Sequence, residues 1–211
     1  MKMKNLFLPF FIASAAVIQA GSVNVGNIGG GGLLSDAALF SSTGQIITSG
    51  TVVAGFFATT TDAIVDATPI ASLEALFGTI TPMTSGTLGS PDAGNFFSGA
   101  SYAGGLYEAN LNKSIYLILF NVGRTEGLLV KTGQSIGADT GTSIDTNDFT
   151  LTSTSNILLG TVGPDVTVDW TNALSNAAYT TNSVRMAAIP EPSAAFLGAV
   201  GVFGLLRRRR I

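Results

Sequence analysis

Oxygen-bearing side chains are concentrated between residues 139 and 148, and hard cations such as Ca²⁺ prefer ligands of this kind. The candidate ligands are Asp139, Asp145, Asn147 and Asp148. Their spacing departs from the EF-hand loop, because Phe149 stands where a ligand is needed and Thr150 where glycine is needed. A polar hairpin loop explains the same residues, since Asp and Asn stabilise turns through their own side chains. The loop fits the pattern better, so we expect no cofactor and keep calcium as the alternative.

Carboxylate catalysis is the one enzyme chemistry that the composition leaves open. The chain contains no Cys and no His, which excludes thiol nucleophiles, Cys/His zinc sites and Ser-His-Asp triads. A glycosidase needs two acids about 5–9.5 Å apart. Glu74, Glu108 and Glu126 are the candidates, but sequence spacing alone cannot place any two of them together. We therefore expect a protein without catalytic residues, with a carboxylate-dependent glycoside hydrolase as a remote alternative.

Two further patterns have a functional and a structural interpretation. Trp170 with Tyr102, Tyr107 and Tyr116 could form a platform on which sugars stack, but aromatic residues on apolar strands more often belong to a core. The glycine run at residues 29–32 resembles a phosphate-binding loop, yet no Gly-Lys-Ser/Thr follows it. We favour core for the aromatic residues and a linker for the glycines.

The elements that would position these residues are mostly strands. The segment Ser114–Asn121 (SIYLILFN) has β-branched and aromatic residues and is apolar on both of its alternating faces, which predicts a central strand covered on both sides. Thr68 as N-cap, Pro69 and a final Gly78 predict one helix, whose stripe is Ile70, Leu73, Leu76 and Phe77. Residues 81–99 are rich in Gly, Ser and Pro, which predicts a long loop. The expected fold is mainly β, a single antiparallel β-sandwich or jelly-roll-like domain with one short helix.

The N-terminal residues 1–20 have the pattern of a secretory signal peptide. Lys2 and Lys4 precede an apolar run of 13 residues, 6–18, and small residues follow it. A helix of that length covers about 20 Å, less than the ~30 Å hydrocarbon core of a membrane. We expect cleavage after Ala20, with Ala15 or Ala16 as alternatives, so that residues 21–188 form the mature domain.

The C-terminal residues 189–211 have three parts in a fixed order. Pro190, Glu191, Pro192 and Ser193 come first, a 13-residue apolar helix (194–206) follows, and Arg207, Arg208, Arg209 and Arg210 end the segment. The prolines hold the backbone before the helix in an extended form, and the arginines would stay on the cytoplasmic side. This tail resembles the PEP-CTERM sorting signal of Gram-negative bacteria. The body is similar to uncharacterised secreted proteins that carry such tails.

The resemblance implies recognition and cutting near Pro190–Ser193 by an exosortase, after the secretion translocon has exported the chain and the tail has anchored it transiently in the inner membrane. It also implies association with exopolysaccharide. Residues 21–188 carry four basic and twelve acidic side chains, a formal charge of −8, which disfavours nucleic acid as a partner. We therefore expect a structural protein of the cell surface or extracellular matrix, with a carbohydrate-binding module as the alternative.

Overall fold

A computed structural model describes residues 20–27, 37–103, 105–137, 146–174 and 176–190, and in them the chain is mainly β. The strands are β1 (Ala20–Gly26), β2 (Ala37–Phe40), β3 (Gly50–Phe56), β4 (Thr81–Leu88), β5 (Phe97–Ala103), β6 (Ser114–Asn121), β7 (Glu126–Ser135), β8 (Thr146–Thr150), β9 (Asn156–Leu159), β10 (Thr161–Trp170), β11 (Asn176–Arg185) and β12 (Ala187–Ala188). The helices are α1 (Asp62–Asp66), α2 (Leu73–Phe77) preceded by a 3₁₀ turn (Ile70–Ser72), α3 (Gly105–Glu108) and α4 (Thr171–Leu174).

The largest sheet is antiparallel and has the order β12-β7-β6-β3-β4, with β9 also paired to β7. Its middle strand is β6, which confirms the prediction for Ser114–Asn121. Ile115, Leu117 and Leu119 point into one buried cluster, whereas Tyr116, Ile118 and Phe120 point into another. Both faces are covered, as the apolar sequence of this strand predicts.

Helices cover one face of this sheet. Val65 of α1 and Leu73 and Leu76 of α2 are buried against β6 and β7 in what we call the helix-side core. The predicted stripe is confirmed, because Ile70 and Phe77 pack against the same cluster.

The predicted start of the helix is wrong in detail. Pro69 has an extended backbone (φ −74°, ψ 152°), so the helical turns begin at Ile70. The Thr68 hydroxyl donates a hydrogen bond to the Ile64 carbonyl (2.9 Å) and therefore completes the end of α1 instead of capping α2.

Two smaller sheets have three strands each, in the orders β5-β1-β8 and β10-β11-β2. Their pairs are antiparallel except that β1 runs parallel to β8 and β2 runs parallel to β11. The main core takes side chains from all three sheets, including Val23 and Val25 of β1, Leu39 of β2 and Leu117 of β6.

Two predictions about elements are wrong. Residues 81–99 are not one loop, because β4 and the start of β5 lie within them; Pro82 is tolerated since β4 is an edge strand of the large sheet. The single predicted helix is joined by α1, α3 and α4, whose four or five residues are too few for a helical period to be visible in the sequence.

Candidate functional site

The calcium candidates fall mostly outside the described residues. Asp139 and Asp145 lie outside them, and so does the side chain of Asn147, whose backbone belongs to β8. Asp148 is exposed, and its Oδ1 accepts a hydrogen bond from Asn24 Nδ2 on β1 (2.8 Å). Within the described ranges, no three acidic, His or Cys side chains come together as a metal site would require.

The three candidate glutamates lie on different elements. Glu74, on α2, forms an ion pair with Arg124 (3.4 Å). Glu126, at the start of β7, accepts hydrogen bonds from the backbone and hydroxyl of Ser42 and from Asn121. Glu108 is exposed on α3. Glu74 and Glu126 thus belong to separate networks.

The aromatic candidates that the structure describes belong to cores, as favoured from the sequence. Trp170 is fully buried, stacks on Tyr179 (centroids 5.2 Å apart) and donates from Nε1 to the Ala93 carbonyl (3.1 Å). Tyr116 is fully buried in the helix-side core, and Tyr107 packs edge-on against Phe56. The side chain of Tyr102 lies outside the description. A sugar platform built on Trp170 and Tyr116 is therefore wrong, because neither ring face is accessible.

A charged cluster that the sequence did not reveal joins α1 to the large sheet. Lys131 Nζ on β7 lies 2.8 Å from Asp66 Oδ2 and 3.3 Å from Asp62 Oδ2. The Tyr116 hydroxyl donates to Asp66 Oδ1 (2.9 Å), and the Ser114 hydroxyl donates to Asp62 Oδ2. The pairing of Tyr116 with Lys131 across β6 and β7 places both side chains under α1. No local motif could have indicated it, because the members come from three separate elements.

The electrostatics of this cluster suit a structural contact better than acid catalysis. Burial alone would raise the pKa of Asp62, but hydrogen bonds from Ser114 and Lys131 outweigh it and hold the pKa below its ordinary value. Burial and the hydrogen bond to Asp66 raise the pKa of Tyr116. The hydrogen bond to Asp66 raises the pKa of Lys131. A catalytic acid needs the opposite shift, a carboxyl pKa raised toward neutrality.

The two ends of the described chain bear on the predicted processing sites. Ala20 is the first residue of β1 and pairs with Ala103. At the other end, the Ile189 N–H donates to the Thr125 carbonyl (2.8 Å), and Pro190 is exposed. Residues 191–211, which include Glu191, Pro192, Ser193 and Arg207–Arg210, lie outside the description. Among the helices that are described, none is long and apolar enough to cross a membrane.

The outer face of the β5-β1-β8 sheet holds a cleft that sequence reasoning also missed. Its volume is about 320 Å³, and its walls include Phe97, Asn24, Asp148 and Thr150. Phe97 is 67% exposed, in contrast to its buried neighbour Phe96. The alternation in Ser22-Val23-Asn24-Val25 could have shown that Asn24 faces outward, but not which strands flank it.

Comparison with protein-family models, with curated proteins and with solved structures finds no match to this chain.

Proposed function

We propose that this chain is an exported, non-enzymatic protein of the cell surface or extracellular matrix, sorted through its PEP-CTERM-like tail by an exosortase-type enzyme. The observation that carries the proposal is the exposure of Pro190, the first residue of the motif. Ile189 packs against the helix-side core, and the next residue, Pro190, is exposed. A processing enzyme can therefore reach Pro190 without unfolding the body.

A structural role for the body is supported by the contacts of its aromatic and charged side chains. Trp170 and Tyr116 fill cores, and Asp62, Asp66 and Lys131 hold α1 against the large sheet. The chain as a whole is rich in Ser, Thr and Gly and poor in charge, since Asp, Glu, Lys and Arg make up 11% of it. Such a composition suits a passive surface component.

For the fold, we propose the finer description of a β-sandwich or jelly-roll-like body. Its support is the main core, which combines side chains of the large sheet with side chains of both smaller sheets. Apolar residues that alternate inward on facing sheets are the usual core of such a fold.

The test is intact mass spectrometry of the protein recovered from its native cells. We expect a mature species that begins at Gly21 and lacks residues 196–211. A mature species that retains these C-terminal residues would refute removal of the tail.

A variant series tests the role of the motif itself. The triple change Pro190→Ala/Glu191→Ala/Pro192→Ala should leave the C-terminal segment uncut. Pro164→Ala/Asp165→Ala, an exposed proline–acid pair on β10, is the matched control and should be processed normally. An unaltered cleavage pattern in the triple variant would contradict the proposal.

A further inference from the structure

Strand pairing places six residues on the outer face of the β5-β1-β8 sheet. In one row Gly26 of β1 lies between Phe97 and Thr150, and in the next row Asn24 lies between Gly99 and Asp148. Residues directly opposite each other, or two apart on one strand, share a face. The other face carries Val23 and Val25, which are buried in the main core.

One glycine gives this face its cleft. Gly26 has no side chain, so open space remains beside the Phe97 ring and the Asn24–Asp148 pair, and the resulting volume of about 320 Å³ is within the range of small-ligand sites. Gly99 is also required for the position of Asn24, because a Cβ there would lie 2.2 Å from Asn24 Oδ1.

The cleft combines one apolar ring with a polar amide–carboxylate pair. Phe97 is 67% exposed, although burial of such a ring is strongly favourable. Asn24 Nδ2 donates to Asp148 Oδ1 (2.8 Å), which fixes the two groups side by side. A carboxylate can accept about four hydrogen bonds, so Asp148 keeps acceptor capacity for a ligand's hydroxyl groups.

We propose that this cleft binds an uncharged polysaccharide, with one pyranose ring stacked on Phe97 and its hydroxyl groups bonded to Asp148 and Asn24. The backbone groups of β1 are already paired on both sides, so the occupant must be recognised by side chains rather than by strand addition. A pyranose offers what the side chains need, an apolar C–H face and a rim of hydroxyl donors and acceptors.

The charge of the site selects against acidic polysaccharides. Among the described residues that line the cleft, one is a carboxylate and none is Lys or Arg. Residues 21–188 carry a formal charge of −8, which would repel polyuronates further. The inference rests on the proposed function, because only an exported protein would meet an uncharged polysaccharide outside the cell.

Affinity gel electrophoresis of the full-length chain tests the proposal. The protein is kept in a polyoxyethylene detergent, which has no sugar headgroup, and run through gels that contain dextran, galactomannan, hydroxyethylcellulose or alginate. We expect retardation in at least one of the three uncharged polymers and none in alginate.

Matched variants locate the site. Phe97→Ala should weaken binding about tenfold, Phe97→Tyr should retain it, and Asp148→Asn should weaken it several-fold. Val122→Ala is the control, because Val122 is 69% exposed at a different place on the surface. Equal thermal stability of the variants shows that the cleft, and not the fold, has changed.

Glycan binding and removal of the tail are tested by different measurements. Absence of retardation in all three uncharged gels, retardation in alginate alone, or unchanged binding by Phe97→Ala would overturn the glycan site. Tail removal is read separately by intact mass, so a chain can be processed without binding or bind without being processed.

Discussion

At the scale of single residues, the burial of Trp170 assigns it to a core and not to a ligand-binding surface. Its ring is fully buried, stacks on Tyr179 and is anchored through Nε1 to the Ala93 carbonyl. Trp170→Ala should therefore lower the free energy of unfolding by about 3–5 kcal/mol, measured by urea denaturation. The fluorescence of the wild-type tryptophan should be blue-shifted and unaffected by dextran. Phe97→Ala, which truncates an exposed ring, should change stability by less than about 0.5 kcal/mol.

A red-shifted emission, or a loss in Trp170→Ala no larger than in Phe97→Ala, would contradict the buried position.

The Asp62–Lys131 contact makes stability depend on pH in a predictable direction. The pKa of Asp62 in the folded protein lies below its ordinary value of 3.8, so its contribution to stability is present above pH 3.8 and is lost as the pH falls through the folded-state pKa. The side chains are partly exposed, so we expect a contribution of about 0.2–1 kcal/mol. Asp62→Asn should be less stable than wild type at pH 7, and the difference should shrink at pH 3.

Asp165→Asn, which changes an exposed carboxylate on β10, provides the background for this comparison. A difference between wild type and Asp62→Asn that stays constant from pH 7 to pH 3 would refute the assignment.

At the scale of elements, Asn27 joins the end of β1 to two other segments. Its Nδ2 donates to the carbonyls of Ala37, at the start of β2, and of Gly94 (2.8 and 2.6 Å), and its Oδ1 accepts from the Phe96 N–H (2.9 Å). Asn27→Ala removes these three buried hydrogen bonds and should cost about 2–4 kcal/mol in urea denaturation. Asn172→Ala removes one exposed hydrogen bond to Asp92 and should cost less than about 0.5 kcal/mol. Equal losses in the two variants would show that the junction does not depend on Asn27.

Elements could be predicted from the sequence where burial leaves a local pattern. The segment Ser114–Asn121 is apolar on both faces because both faces are covered, and the Leu73–Leu76 stripe reflects one buried side of a helix. Strands β4 and β11 leave no such pattern, since their Thr, Ser, Asn and Gly residues resemble loop residues and are held by pairing with β3 and with β10 and β2. Helix α3 leaves no such pattern either, because four residues do not distinguish the helical period from the strand period.

The candidate site was beyond prediction for the same reason. Asn24, Phe97 and Asp148 come from three strands, and the β1–β8 pairing that brings two of them together is parallel and separated by more than a hundred residues. Each residue alone looks like an ordinary surface position. Their chemistry exists only after the sheet has formed.

At the scale of the whole molecule, the contribution of residues 187–190 to the stability of the body can be measured. Strand β12 pairs with β7, the Ile189 N–H donates to the Thr125 carbonyl, and the Ile189 side chain packs on the helix-side core. A chain ending after Pro190 keeps all of these contacts and is the reference for the comparison. A chain ending after Met186 loses these contacts, worth about 2 kcal/mol, and should unfold roughly 4–8 °C lower.

Ile189→Ala in the chain that ends after Pro190 separates the two contributions, because it keeps the β12 pairing and removes the apolar contact. We expect an unfolding temperature between those of the two truncated chains, measured by circular dichroism at one pH and salt concentration. Equal unfolding temperatures for the chains ending after Met186 and after Pro190 would show that residues 187–190 add nothing to the body. The folded body would then end at Met186 rather than at Ile189, three residues farther from the motif.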